Sequence, residues 1–325
     1  MTTPLIERYR DRLPVSETTP VVSLGEGSTP LLHAPRLSER YRVELWLKLE
    51  SMNPTGSFKD RGMTVAVSRA LAQGATAVIC ASTGNTAASA AAYAARAGMS
   101  AAILLPQRAV ALGKLAQARA NGARLLEVRG SFDQALRAAS ALAATGRHVL
   151  VNSLNPDRIE GQKTAAFEIA EELGRVPHVL ALPYGGGGNT RAYARGFGEW
   201  DAGMPRILAG AALRRGETLA SAIRIVDPAH RAQAEGAVRD SGGSVVALTD
   251  DEIVAAWRLL AEREGVFCEP ASAAGLAAVQ RLGASGTVVV IVTGHGLKDP
   301  DAVDRIAAPV VEVDPDAEAI AEGLA

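Results

Sequence analysis

The chain has 325 residues, of which 48% are hydrophobic, so it is long enough for two structural units with sizeable cores. Its 34 basic and 35 acidic residues leave a formal net charge of -1, which provides no basic excess for binding nucleic acid. Composition and charge therefore favour a small-molecule ligand over a nucleic-acid partner.

The cysteines, the histidines and the N-terminal segment argue against further classes of protein. Cys80 and Cys268 have neither a CxxC arrangement nor zinc-ligand spacing, and the five histidines form no HExxH motif. We therefore predict no metal site and no disulfide framework. The first twenty residues are charged, and no apolar run reaches about 18 residues, so we expect a cytoplasmic protein with no membrane partner.

The first part of the chain predicts an N-terminal arm followed by alternating strands and helices. The arm covers residues 1–24, with a short helix around 5–13, and a glycine-rich loop at 25–31 leads into the body. A strand at 45–50 is followed by a helix at 58–73. The next elements are strands at 77–81, 101–106, 124–128 and 148–151, alternating with helices at 86–97, 112–121 and 132–144.

The second part continues this alternation. Helices are predicted at 160–173, 189–200, 251–264 and 270–282, and strands at 178–183, 207–211, 245–248 and 287–292. The last strand is apolar enough to be buried on both faces, and a peripheral tail begins at Pro309. The pattern is typical of an α/β fold with parallel strands, in which ligands bind at the carboxyl ends of the strands.

One lysine, Lys59, is delivered to the first turn of a predicted helix by a turn-forming run, NPTGSFKDRG at 53–62. The helix dipole disfavours a cation there, and partial burial disfavours the charged form, so we expect a lowered pKa for this amine. A neutral amine is what Schiff-base formation requires. Taken alone, Lys59 could also be a solvated side chain beside Asp60.

Two further polar runs stand between a predicted strand and a predicted helix. The run ASTGNT at 81–86 places hydroxyls and backbone N–H groups at a helix start, which suits the carboxylate of an amino acid. The run NSLNPDRIEGQK at 152–163 contains Arg158, which can hold a phosphate or carboxylate through two parallel hydrogen bonds. The alternatives are a plain capping loop and a surface arginine paired with Asp157 or Glu160.

Four consecutive glycines at 185–188 separate another strand from a helix, in the run PYGGGGNT at 183–190. Backbone N–H groups in such a run can wrap a phosphate, although neither the P-loop pattern nor the dinucleotide fingerprint is present. A glycine costs about 0.5–1 kcal/mol more than alanine in a regular element, which argues against a mere turn. We therefore predict a phosphate-binding loop.

A fourth run, VTGHGLKDP at 292–300, follows the apolar strand, and its Thr293 either ends that strand or presents a hydroxyl to a ligand. Together the four runs resemble the motifs of pyridoxal-phosphate enzymes of the tryptophan-synthase β-like fold, or fold type II, and most closely those of the threonine synthase family. The resemblance extends from about Arg10 to Asp301. It implies a pyridoxal 5'-phosphate cofactor, a small amino-acid substrate and a homodimer.

The resemblance also implies two interleaved three-layer α/β domains with mostly parallel sheets. The large cofactor-binding domain would comprise residues 1–60 with 152–325, and the small α/β domain residues 61–151. Lys59 would hold the cofactor covalently and act in catalysis. The other cofactor-binding residues would be Asn85 at the phenolic oxygen, Gly185, Gly186, Gly187, Gly188 and Asn189 at the phosphate, and Thr293 at the pyridine nitrogen. The substrate-binding residues would be Ser82, Thr83 and Thr86, with Asn152, Ser153 and Arg158 at the substrate's phosphate.

An enzyme of this family would convert O-phospho-L-homoserine and water to L-threonine and phosphate. Two features depart from the family pattern: Gly186 replaces the asparagine of a G-N-A-G-N loop, and the segment at 206–228 is shorter than expected. They leave open a related elimination or replacement enzyme that acts at the β- or γ-carbon of another amino acid, such as a dehydratase or a specialised-pathway synthase. The retained Lys59 and hydroxyl loop argue against a non-catalytic cofactor-binding protein.

Overall fold

The computed structural model describes residues 3–107, 115–200, 202–308, 310–315 and 317–323. The strands are β1 (Leu31–His33), β2 (Glu44–Lys48), β3 (Ala77–Ala81), β4 (Ser100–Pro106), β5 (Arg124–Val128), β6 (Val149–Leu150), β7 (Val179–Pro183), β8 (Arg206–Ala212), β9 (Ser244–Leu248) and β10 (Thr287–Ile291). The α-helices are α1 (Leu5–Arg8), α2 (Pro35–Tyr41), α3 (Lys59–Ala72), α4 (Asn85–Arg96), α5 (Ala116–Ala120), α6 (Phe132–Ala143), α7 (Pro156–Leu173), α8 (Gly188–Trp200), α9 (Arg231–Asp240), α10 (Asp250–Glu264), α11 (Ala274–Leu282), α12 (Pro300–Ile306) and α13 (Ala317–Gly323). Short 3₁₀ turns lie at Arg10–Arg12, Glu50–Met52, Ser221–Ile223, Pro270–Ala273 and Gly296–Lys298.

The strands form two sheets whose neighbours run mainly parallel. The six-stranded sheet has the order β1-β2-β10-β7-β8-β9, and β1 pairs antiparallel with β2. In its centre Val289 of β10 is in register with Trp46 of β2 and Leu180 of β7. The four-stranded sheet has the order β5-β4-β3-β6, with parallel pairs throughout its described strands. The predicted α/β fold with mostly parallel sheets is confirmed.

Each sheet is covered by helices on both faces, which explains the apolar runs in its strands. All residues of β7 and β10 are buried. One face of the six-stranded sheet packs against α10 and α11, and the other packs against α7, α8 and α9. The four-stranded sheet packs against α3 and α4 on one face and α6 on the other. Among the described helices, none is both long and apolar enough to cross a membrane.

Three of the predicted helices begin several residues away from their predicted starts. Helix α7 begins at Pro156 rather than at residue 160, since the Asn155 side chain accepts a hydrogen bond from the Asp157 N–H and Pro156 suits the first helical position. The helix predicted at 270–282 starts as a 3₁₀ turn and becomes α-helical at Ala274. The helix predicted at 112–121 is described from Ala116, and its first residues, 112–114, lie outside the described ranges.

Helices α2, α9, α12 and α13 and strand β1 were not predicted. Helix α9 buries only Ala234 and Val238, so its sequence lacks an apolar stripe strong enough to indicate a helix.

Helices α3 and α7 cross with their backbones in contact. A Cβ added to Gly62 would lie 2.5 Å from the Arg158 carbonyl oxygen, and one added to Gly161 would lie 1.9 Å from the Arg61 carbonyl oxygen. Real Cβ atoms do not approach that closely, so glycine is needed on both sides of the crossing. Helix α8 approaches α7 in the same way at Gly196, where a Cβ would lie 2.4 Å from the Lys163 carbonyl oxygen.

A buried ion cluster holds the end of β2, α3 and α7 together. The Arg61 guanidinium donates to Glu50 at 2.7 Å and to Glu168 at 2.6 and 2.7 Å, and all three side chains are almost fully inaccessible. Lys48 lies 3.1 Å from Glu168. Burial by itself would raise the pKa of Glu168, but the two cations and their hydrogen bonds lower it to about 2. Glu168 therefore stays ionised at neutral pH.

We expect Arg61→Leu to lower the free energy of unfolding by about 3–5 kcal/mol, because two buried carboxylates would lose their main partner. Urea denaturation followed by circular dichroism measures this change. The control is Arg69→Leu, since Arg69 pairs with Asp157 at a partly exposed position, where a pair contributes about 0–1 kcal/mol. Equal losses in the two variants would contradict the assigned importance of the buried cluster.

Candidate active site

Five loops that follow parallel strands carry the predicted site residues. The strands β2, β10 and β7 are neighbours in the large sheet, so the lysine loop, the Thr293 loop and the tetraglycine loop lie side by side. The strands β3 and β6 are neighbours in the small sheet, so the loops at 82–84 and 152–155 are also adjacent. The carboxyl ends of parallel strands are where α/β folds bind ligands.

The lysine loop is paired with the loop after β10. The Phe58 N–H donates to the Thr293 carbonyl at 3.0 Å, and the His295 N–H donates to the Gly56 carbonyl at 2.9 Å. Ser57 and Gly294 form an isolated antiparallel bridge between these two contacts. Gly56 has φ +83°, a conformation that favours glycine. The loop is thus held by backbone hydrogen bonds directly before Lys59.

Lys59 occupies the first turn of α3, as predicted, and its side chain is half-buried. Its Nζ lies 4.3 Å from the centre of the Phe58 ring. Loss of hydration and the charge of Arg158 lower the pKa of this amine to about 7, against a smaller opposing effect of Glu269. A large share of Lys59 is therefore neutral near pH 7, which does not fit the alternative of an ordinary solvated lysine.

Arg158 is fully buried in the first turn of α7 and reaches toward Lys59. Its Nη1 donates to the Val151 carbonyl at 2.7 Å, and its Nη2 lies 3.5 Å from the Lys59 carbonyl oxygen. The alternative of a surface arginine paired with its neighbours is wrong, because Asp157 pairs with Arg69 and Glu160 with Lys163.

The Arg158 guanidinium retains an unused donor. Its Nε is buried and has no hydrogen-bond partner in the described part of the chain. Burial lowers the pKa of Arg158 to about 10, so the group is still charged at neutral pH. Within the described ranges, no carboxylate forms an ion pair with it. A buried cation of this kind is suited to receive an anion from a ligand.

The tetraglycine loop joins β7 to α8 beside two unsatisfied polar groups. Asn189 Nδ2 and Thr190 Oγ1 are buried and have no partner among the described residues. Gly187 has φ +79°, and the Gly186 carbonyl accepts from the His230 N–H at 3.0 Å. Buried polar groups without partners are costly, so a ligand that accepts hydrogen bonds fits the beginning of α8.

Asn85 contacts Glu269, directly before the 3₁₀ turn at Pro270–Ala273, and Thr293 contacts Ser272 within that turn. Asn85 Nδ2 lies 3.2 Å from both carboxylate oxygens of Glu269, and the Thr293 hydroxyl lies 2.9 Å from the Ser272 hydroxyl. The Glu269 N–H donates to the Gly294 carbonyl at 3.0 Å. No role was predicted for Glu269 or Ser272, which lie in the run CEPAS at 268–272.

The predicted substrate residues differ in how their side chains are used. The Asn152 amide bonds both the N–H and the carbonyl of Ala81, at 2.9 and 2.8 Å, and thereby joins the two small-sheet loops. The Ser82 hydroxyl accepts from the N–H groups of Gly84 and Ala87, at 3.2 and 3.3 Å, as the capping-loop alternative expected. Apart from Arg158, the other predicted substrate residues are half-buried and lie at the same carboxyl edge of the small sheet: Thr83, Thr86 and Ser153.

The segment at 206–228 forms a wall of the tetraglycine loop. A Cβ on Gly185 would lie 3.3 Å from the Ala222 carbonyl oxygen, and one on Gly186 would meet only Ile225 Cδ1, at 3.6 Å. The wall next to Gly186 is therefore apolar, and it leaves room for a side chain at this position.

Comparison with known proteins agrees with this geometry. The sequence model of the family described as pyridoxal-phosphate dependent enzyme matches residues 22–294. A threonine synthase of Mycobacterium leprae (strain TN) is 50% identical over 343 residues, covering 98% of this chain and 95% of that protein. The chain belongs to the threonine synthase family. Another relative named threonine synthase, from Methanocaldococcus jannaschii, is 44% identical and covers 95% of this chain and 84% of that protein.

Solved structures show the same fold in more distant enzymes. Maize serine racemase superposes with a TM-score of 0.73 at 23% identity, covering 86% of this chain and 91% of that one. The processed form of threonine deaminase isoform 2 from Solanum lycopersicum superposes with a TM-score of 0.73 at 23% identity, covering 93% and 87%. Family membership confirms the predicted pyridoxal-phosphate dependent lyase and its cofactor. The unsatisfied donors near the tetraglycine loop and the amine of Lys59 fit that cofactor.

We expect the cofactor-free protein to capture pyridoxal 5'-phosphate about tenfold faster at pH 8 than at pH 6. A lowered pKa means that the amine loses its proton at lower pH, and with a pKa near 7 its neutral fraction rises about tenfold over this interval. Stopped-flow absorbance measures the capture, with Lys59→Arg as the variant that should show none. A rate that still rises about tenfold between pH 8 and pH 9 would indicate an ordinary lysine, whose pKa is about 10.4.

Proposed function

We propose that this protein converts O-phospho-L-homoserine and water to L-threonine and phosphate. The observation that carries the proposal is the contact between Lys59, with a pKa near 7, and Arg158, a buried cation that forms no ion pair in the described structure. The amine suits proton transfer, and the cation suits a departing phosphate. Relatives named threonine synthase, at 44–50% identity over most of the chain, support the same reaction.

The residues that would hold the cofactor follow from the site. Lys59 would bind it covalently, and the backbone of Gly185–Gly188 with Asn189 and Thr190 would hold its phosphate. Asn85 and Thr293 would contact its ring from the two loops that face Glu269 and Ser272. When bound, pyridoxal 5'-phosphate supplies an electron sink for charge that develops at the substrate's α-carbon.

Lys59 would serve as general base and general acid at the substrate's α- and β-carbons. Efficient proton transfer requires a pKa near the working pH, and burial together with Arg158 brings the amine to that range. The backbone bonds before Lys59 restrict where the amine can reach. Such positioning can lower the barrier by several kcal/mol, about 7 or more in the best cases.

Arg158 would bind the substrate's phosphate and stabilise it as it leaves. Two of its nitrogens already contact backbone carbonyls, which orients the guanidinium plane. The half-buried Ser153 stands three residues before the N-terminus of α7 and lies at the same edge. Anions are stabilised at helix N-termini, which adds to the effect of Arg158.

A second candidate is a related enzyme that removes or replaces a group on another amino acid. The observation that favours it is the apolar wall at Gly186, where the family pattern has an asparagine and this chain has Ile225 nearby. A leaving group without charge would suit that wall better than phosphate does.

We also propose that the protein is a cytoplasmic homodimer whose large domain comprises residues 1–60 and 152–325 and whose small domain comprises 61–151. The division follows the two sheets, since β3 to β6 form one and the other strands form the second. Two free, buried cysteines suit a reducing compartment.

We expect the purified protein to release phosphate and L-threonine in equal amounts from O-phospho-L-homoserine. Phosphate detection and amino-acid chromatography measure both products, alongside a panel of serine, threonine and O-substituted amino acids. Lys59→Ala should abolish turnover, because the amine that would hold the cofactor and transfer the proton is lost. Faster turnover of a panel member than of O-phospho-L-homoserine would favour the second candidate.

We expect Arg158→Lys to raise the KM for O-phospho-L-homoserine at least about tenfold, because a lysine keeps the charge but loses the planar fork. Arg158→Ala should raise it further. The control is Arg195→Ala, which removes an arginine on the outer face of α8 that pairs with Glu160 and Glu199. An unchanged rate at low substrate concentration in Arg158→Ala would place the phosphate elsewhere.

A further inference from the structure

His230 is a buried residue that no motif of the sequence assigned to the site. It lies directly before α9, with 5% of its surface exposed. Its backbone and its ring contact two different loops of the site, the tetraglycine loop and the loop that carries Ser153. These loops follow β7 of the large sheet and β6 of the small sheet, so His230 connects the two sheets at their carboxyl edges.

The tetraglycine loop is packed directly on His230. The His230 N–H donates to the Gly186 carbonyl at 3.0 Å. A Cβ on Gly187 would lie 3.1 Å from the His230 carbonyl oxygen, and one on Gly188 would lie 3.3 Å from ring atom Cδ2. The glycines therefore permit the close approach, and His230 provides a rigid surface against which this otherwise flexible run is ordered.

The ring of His230 holds the second loop through a hydrogen bond with a defined direction. Its Nε2 lies 2.8 Å from the Ser153 carbonyl oxygen, and since a carbonyl only accepts, Nε2 carries the hydrogen. Its Nδ1 lies 3.3 Å from Arg191 Nη1, which only donates, so Nδ1 is the acceptor. In this tautomer the ring bonds both neighbours at once.

We propose that His230 is a positioning residue that sets the spacing between the cofactor-phosphate loop and the substrate-phosphate loop. The proposal rests on the proposed function, in which the two loops hold the two phosphates. Its physical basis is that one residue bonds both loops, since the His230 N–H donates to the Gly186 carbonyl and the His230 ring donates to the Ser153 carbonyl. Correct spacing matters because small displacements of bound groups reduce rates strongly.

The test compares His230→Leu and His230→Gln in the holoenzyme. The leucine variant removes the ring hydrogen bonds, and we expect about tenfold higher KM for O-phospho-L-homoserine, about tenfold weaker retention of pyridoxal 5'-phosphate, and kcat within about threefold. A glutamine can place an amide N–H near the position of Nε2. We therefore expect His230→Gln to have a KM and a cofactor retention close to those of the wild type. Steady-state kinetics measures KM and kcat, and absorbance after dilution measures cofactor retention.

The control is His178→Leu, because His178 also bonds a backbone group, the Thr287 N–H at 2.9 Å, but at the opposite edge of the large sheet. His178→Leu should leave both the KM and the retention of pyridoxal 5'-phosphate unchanged. The proposal is overturned if His230→Leu retains wild-type KM and cofactor affinity, if only one of the two changes, or if His230→Gln is as impaired as His230→Leu at equal melting temperature. If His230→Leu does not fold, the glutamine variant decides alone, and values far from wild type in a folded His230→Gln overturn the proposal.

An error in the proposed reaction can be distinguished from an error in the proposed role of His230. If wild-type protein forms no threonine, cofactor retention still reports on His230, and the KM is then measured for whichever amino acid of the panel is turned over.

Discussion

The site depends on the backbone contact between α3 and α7. Gly62 and Gly161 let the two helices cross so closely that a single Cβ on either side would overlap the other backbone. Lys59 begins one helix and Arg158 lies in the first turn of the other, so this crossing brings the Arg158 guanidinium to the backbone carbonyl of Lys59. The charge of Arg158 is in turn one reason for the lowered pKa of Lys59, after the loss of hydration. The chemistry proposed for the amine thus follows from a packing constraint a few residues further along the chain.

Ionic and polar contacts hold this helix crossing and the surrounding loops in place. The cluster around Arg61 joins the end of β2, α3 and α7 in the interior, where its charges have no access to water. At the carboxyl ends of the strands, loops of the small sheet contact loops of the large sheet at separate points, including Asn85 with Glu269 and Ser153 with His230. The cofactor and substrate groups would lie between the two sheets, so their relative placement depends on contacts that neither sheet makes alone.

Much of this arrangement could be predicted from the sequence. The alternation of strands and helices and the apolar run of β10 indicated the fold class, and the four polar runs indicated the family and Lys59. Residues outside those runs were missed because their sequence context is ordinary. His230 precedes a helix with a weak apolar pattern, and Glu269 contacts Asn85, which lies 184 residues away along the chain.

The sequence by itself determined the local elements, the lysine at a helix start and the glycine run at another, because turn formers, caps and apolar periodicity act over a few residues. Only the tertiary structure decided that Arg158 is buried beside Lys59 rather than exposed, and that a histidine joins two loops from different sheets. Burial and pKa depend on which distant segments exclude water from a group. That information lies in the packing of helices and sheets, which no short run of residues specifies.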